Sequence, residues 1–323
     1  MTGFSLKGST FDIAVNICLH PFLWGIHFMI LWKSFKVRGK MCQVYNHLDD
    51  HTSEVKISEK EYILHIVKIA ILVIGQGFFA IGSVLNIEEN FSFGFIPLVP
   101  YFLCYFILVP ILHAPLMALH IYFLEIHWKL HSWMNSLKKG LENNESFGIH
   151  LDQCNHLAKA LNMITDTLSE IVFWLFTFFL LLSVIECYTM INFILTHSDL
   201  TVATMFLMIG FGFYGIYFLY FAFSYCILSQ TIKDSADDIK VILKKTDINK
   251  DDFYILQGQI LKAMKSRQQI LKKQIEMEFK KFQGFHGNGY FVLGKPLLTS
   301  VVANIITYLI ILIQFKVSEL SSQ

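Results

Sequence analysis

Charge is what this chain has least of. Lys, Arg, Asp and Glu make up 16% of its 323 residues, where a soluble domain carries about a quarter. So thin a polar shell excludes an ordinary water-soluble globule. The basic residues also form no aromatic-interleaved patch, which removes nucleic acid as a partner. Cysteine is sparse: Cys18, Cys42, Cys104, Cys154, Cys187 and Cys226 lie scattered, mostly within or beside apolar runs. Their spacing fits neither a disulfide framework nor a metal site and reads as single buried thiols. Catalytic signatures are missing as well. There is no GxSxG elbow, no phosphate-binding loop and no HExxH, so no enzyme and no cofactor are expected. Met1 to Ser9 lack the basic cluster of a cleavable leader, and no clear cleavage site follows.

What is there is apolar surface: 54% hydrophobic and 15% aromatic residues, gathered in blocks of about twenty, the length that crosses a bilayer as a helix. Six such spans are predicted. They run over Phe11–Trp32, Tyr62–Leu85, a proline-rich stretch from Phe95, Ile171–Leu195, Val202–Leu228 and Pro296–Phe315. The fold class is therefore an all-α integral membrane protein with the lipid bilayer as its solvent. His20-Pro21 predicts a kink in the first span. The third span continues without a breaker through Leu116–Leu141, so that helix projects beyond the membrane. The polar stretch Glu142–Gln153 is expected to turn the chain, and Leu157–Ser169 leads back in with helical periodicity. The Lys-rich segment Phe253–Phe282 places Ile255, Ile260, Leu261, Met264, Ile270, Leu271, Ile275 and Phe279 at helical spacing. Such an amphipathic helix needs a protein partner or a membrane surface. Three units are expected: 1–229, a membrane bundle with the helical extension 116–169; 230–295, cytoplasmic helices; and 296–323, the last span and a short tail.

The charges that exist are unevenly placed. Segments 33–61, 127–169 and 230–295 carry six, four and thirteen Lys or Arg, whereas the opposite side holds Lys7 and Lys316. That asymmetry puts the three large segments in the cytoplasm and both termini outside. Asn90-Phe91-Ser92, a glycosylation acceptor pattern, then falls outside too.

Few residues carry chemistry within the spans. Glu186 is an intramembrane acid, which costs several kcal/mol unless paired or hydrated. With Tyr188 and Asn192 beside it, Glu186 either floors an outward-opening cavity or pairs with a neighbouring helix. Gln76 and Phe79, Tyr101 and Tyr105, Phe211 and Tyr214, together with Asn16 and His20, occupy the outward halves of the other spans. Aromatic walls with a few polar groups suit a small organic ligand, though such stripes also arise from packing alone. His113, His120, His127 and His131 fall roughly on one helical face; with no convincing acidic or thiol partner they read as packing or solvated histidines, not a metal site. In the last span Thr307, Ile311 and Gln314–Phe315 share a face. Asn304, Thr307 and Gln314 gain nothing from lipid, so this face is either glue between helices or the lining of a pathway.

Thr307-Tyr308-x5-Gln314-Phe315, close to the end of the chain, resembles the signature that closes the insect gustatory receptor family. The lead-in Phe282–Val302, with its aromatic-glycine cluster, is similar to that family's approach to its final span. The resemblance implies a ligand-gated, non-selective cation channel in the plasma membrane, built as a homo- or heterotetramer with related receptors and opened by a small-molecule tastant. Carried onto this sequence, Gln314 and Phe315 form the outer constriction, Ile311 and Thr307 lie below, and Tyr308 completes the motif. Phe253–Phe282 and Leu116–Leu141 resemble pieces of that family's cytoplasmic anchor. The family has seven spans, and the six here match its second to seventh, so its first is expected to be missing. Three other readings stay open: a G-protein-coupled-type receptor, a transporter, and a non-conducting or accessory subunit.

Overall fold

The computed structural model describes residues 10–52, 109–142, 147–196, 202–245 and 258–321, plus isolated helical positions between 63 and 81. The chain forms α1 (Thr10–Thr52), α2 (Val109–Glu142), α3 (Phe147–Thr196), α4 (Val202–Lys245), α5 (Gly258–Lys281) and α6 (Lys295–Ser321). Two short strands, β1 (His286–Gly287) and β2 (Phe291–Val292), separate the last two helices. α1, α3 and α4 are 43, 50 and 44 residues long. At 1.5 Å per residue each exceeds about 60 Å, roughly twice the hydrocarbon thickness. About half of each helix therefore extends past any bilayer it crosses.

α3 is the hub, packing against α1, α2, α4, α5, α6 and β1. The tightest packing lies in the halves whose sequence is polar. Leu48 of α1, Leu130 and Leu137 of α2, Leu151, Leu157, Leu161 and Ile164 of α3, Ile239 and Leu243 of α4, and Ile275 and Phe279 of α5 are almost wholly buried. Their spacing of three and four residues gives each helix one apolar stripe, and the stripes meet in one core. The amphipathic helix α5 thus finds its partner inside the chain, against α3. Polar contacts lock the frame. Tyr45 donates to Glu125 (2.6 Å), Tyr122 donates to the Met41 carbonyl (2.8 Å), and the buried Lys129 pairs with Asp49. Lys33 reaches Glu170 at 2.8 Å, tying α1 to α3.

Local expectations shift in two places. α3 begins at Phe147, inside the stretch expected to turn, because Leu151 and Cys154 are fully buried and continue the stripe of Leu157 and Leu161; burial of that face outweighs the polar residues between. Cys154 and Cys226 are buried thiols, but Cys42 is exposed on the polar half of α1.

Candidate functional site

The site begins where α5 ends. Phe282 to Gly294 fold into a hairpin with His286 opposite Val292 and Gly287 opposite Phe291. Asn288 and Gly289 carry positive φ of 49° and 79°, the pair of left-handed residues that a type I′ turn needs and that Asn-Gly adopts readily. Tyr290 N–H donates to the Gly287 carbonyl at 2.9 Å, closing the turn. Sequence reasoning saw here an aromatic-glycine cluster and missed the hairpin, although Asn-Gly between aromatic residues was the signal.

The hairpin fixes the base of α6 to the hub. Asn288 N–H donates to the Ser169 carbonyl of α3 at 3.2 Å. Phe291 packs on Phe173 and Phe176, and Tyr290 on Phe173, with ring centroids 5.2–6.3 Å apart. Phe285 seats edge-on against Phe123 and Phe282. From α4 the buried Ser229 hydroxyl donates to the Leu293 carbonyl at 3.1 Å. Space is tight: a Cβ on Gly287 would strike the Phe291 ring, and one on Gly294 would come within 2.6 Å of the Gln230 side-chain oxygen. Gly294 then accepts the first backbone bond of α6 from Leu297 at 3.1 Å, and Pro296 sits in that first turn, where no donor is needed.

Two described helices, α3 and α6, are long and apolar enough to cross a membrane. They differ in cover. In the most apolar window of α3 56% is buried, against 11% for α6. α6 meets α3 and α4 through one stripe, on which Val301, Ile305 and Lys316 are buried. The exposed remainder divides by chemistry. Val302, Ile306 and Val317 form an apolar flank. Ser300, Thr307, Ile311, Gln314 and Ser318, with Asn304 beside them, fall at helical spacing on the side away from α3 and α4, and all are exposed. Tyr308 (54% exposed) and Phe315 (59%) border this polar face. Thr307 donates to the Ala303 carbonyl (2.8 Å) and Ser300 to Pro296 (3.2 Å). The sequence-predicted pore residues therefore share one exposed side of one helix.

The candidate ligand residues are placed less fully. Tyr188 is buried on α3. Glu186 and Asn192 lie on the same helix, and Phe211 and Tyr214 on the membrane half of α4. Gln76, Phe79, Tyr101, Tyr105 and Asn90 lie outside the described residues. The candidate histidines part company. His127 and His131 stack nearly parallel, with centroids 5.9 Å apart, while His120 packs edge-on against Phe221 and Tyr225. Among the described residues no group of three His, Cys, Asp or Glu is set to hold a metal.

Comparison with known proteins adds what geometry leaves open. Two structures of the insect olfactory receptor OR5 from Machilis hrabei share the fold. The one in complex with eugenol aligns over 86% of this chain and 70% of its own, with TM-score 0.59 and 12% identity. A second aligns over 94% of this chain and 81% of its own, with TM-score 0.62 and 12% identity. No curated protein sequence matches. The family model described as 7tm chemosensory receptor matches residues 4–319. The chain belongs to the 7tm chemosensory receptor family, whose members are multi-pass membrane receptors.

Proposed function

We propose that this chain is a gustatory-type receptor that is itself a ligand-gated cation channel, with α6 lining the ion path in a tetramer. One observation carries the reading: α6 has two exposed sides of different chemistry. Lipid suits the flank of Val302, Ile306 and Val317. It does not suit Asn304 and Gln314, whose amides carry more donors and acceptors than one helix can satisfy. A second surface, facing water or another subunit's α6, accounts for them, and a central pore ringed by four copies supplies both. The gustatory assignment rests on Thr307-Tyr308-x5-Gln314-Phe315. The olfactory relative's eugenol supports a ligand of small organic type.

In this reading the C-terminus lies outside, the membrane halves of α1, α3 and α4 hold the ligand, and the buried polar-sequence halves with α5 form the cytoplasmic support. Gln314 and Phe315 narrow the outer mouth, and Ile311 closes it by excluding water; slight dilation wets it and admits hydrated ions. Glu186, Tyr188 and Asn192 share α3 with Ser169 and Phe173. A ligand that binds better to the dilated state shifts the population toward it, and the hairpin carries the displacement of α3 to the base of α6. A cation-flux assay of cells expressing the chain, across a panel of tastants, tests this. The expected result is flux to at least one compound, with Gln314→Ala and Phe315→Ala changing its amplitude or ion preference. Evoked flux that neither substitution alters contradicts it.

A further inference from the structure

The outward side of α1 carries a feature that no part of the channel reading uses. Phe28 (63% exposed), Trp32 (56%) and Phe35 (61%) follow one another at spacings of four and three, so they stand in line on one helix face. Phe28 and Trp32 stack, with centroids 6.4 Å apart. Directly beyond them come Lys36, Arg38 and Lys40, all exposed. Lys33, the first cation of the run, is spent internally on Glu170. No carboxylate among the described residues pairs with the next three. The Arg38 guanidinium lies 4.3 Å from the Phe35 ring centroid, so it folds back along the helix toward the aromatic band.

Aromatic rings at the edge of an apolar span belong at the headgroup level, where one end is greasy and the other wet. A guanidinium held at that level by a ring, with Lys36 and Lys40 exposed within the same turns of the helix, offers charge-assisted donors to a phosphodiester or carboxylate. We infer that Trp32, Phe35, Lys36, Arg38 and Lys40 form a docking surface for anionic phospholipid in the leaflet that meets the basic side of the protein. The inference rests on the membrane-spanning reading of α1. The occupant is fixed by complementarity: three cations with no carboxylate partner among the described residues select a negative headgroup, and the three rings select acyl chains and glycerol beneath it.

Tryptophan quenching tests it on the full chain reconstituted in phosphatidylcholine vesicles. The difference in fluorescence between the chain and its Trp32→Phe variant isolates Trp32. Brominated-chain phosphatidylcholine first establishes whether Trp32 meets lipid; no quenching at all means that the spanning reading of α1 has failed, and this inference with it. Given quenching, brominated phosphatidylserine at the same dilute mole fraction is expected to quench Trp32 at least about twofold more than brominated phosphatidylcholine. High salt should weaken the preference, and Lys36→Gln/Arg38→Gln/Lys40→Gln should bring the ratio to about one. These are exposed surface substitutions, so the variant should keep the parent's thermal midpoint. A ratio near one in the parent chain, or an undiminished ratio in the triple variant, overturns the inference.

Discussion

Where a polar side chain sits on an apolar helix decides what it can do. Thr165, Thr177, Ser183 and Thr189 of α3 return their hydroxyl protons to carbonyls four residues earlier, at 2.7–2.9 Å, and so need no outside partner. Asn304 and Gln314 of α6 have larger demands and stand exposed, and this difference gives the pore assignment its force. Burial acts on a titratable group in the projecting part of α2. Loss of hydration pushes the His127 imidazole down to about 4, with the neighbouring His131 adding to the effect. The folded state thus prefers neutral His127, while the unfolded chain protonates it near pH 6.5. Stability from this residue is complete above about pH 6.5 and falls as pH drops toward 4, by at most about 3 kcal/mol. Thermal midpoints of the solubilised protein, followed through that window, should decline more steeply for the parent than for His127→Gln. Parallel curves would show that His127 is hydrated in the folded protein.

Among the described elements, the hairpin between α5 and α6 has little tolerance for added volume. Gly287→Ala drives a methyl group into the Phe291 ring, which is packed on Phe173 and Phe176. Overpacking of this kind costs about 1–3 kcal/mol. The thermal midpoint of Gly287→Ala should fall, and Gly287→Ala/Phe291→Ala should be less damaging than the two single effects added. Strict additivity would mean that the two residues do not share the space. The helices themselves were legible because each needs only its own residues: apolar blocks of about twenty, and stripes such as Ile275 and Phe279 at spacing four. The start of α3 at Phe147 was not, since only the pairing of Leu151 and Cys154 with other helices makes a helix of a polar stretch. Asn288-Gly289 could have been read as a turn; its bond to Ser169 could not, being a contact across more than a hundred residues.

At the scale of the whole molecule, one chain leaves α6, a helix apolar enough to cross a bilayer, nearly bare, while burying the polar-sequence halves of its other described helices. A single subunit is thus well packed where it projects and sparsely covered along α6, and in the proposed channel further copies of the chain share that cover with lipid. The motif near the end of the sequence falls on an exposed side of α6. The proposed ligand residues stayed less legible, because intramembrane aromatics at helical spacing look alike whether they pack or bind. The most direct measurement is cysteine accessibility along α6 during ligand-evoked current, with the parent chain as control for its own thiols. A water-soluble, charged thiol reagent should modify Thr307→Cys, Ile311→Cys and Gln314→Cys and change the current, and should leave Ile306→Cys and Val317→Cys untouched. Modification of the Ile306 and Val317 positions, with Thr307 and Gln314 inert, would turn α6 around and contradict the account.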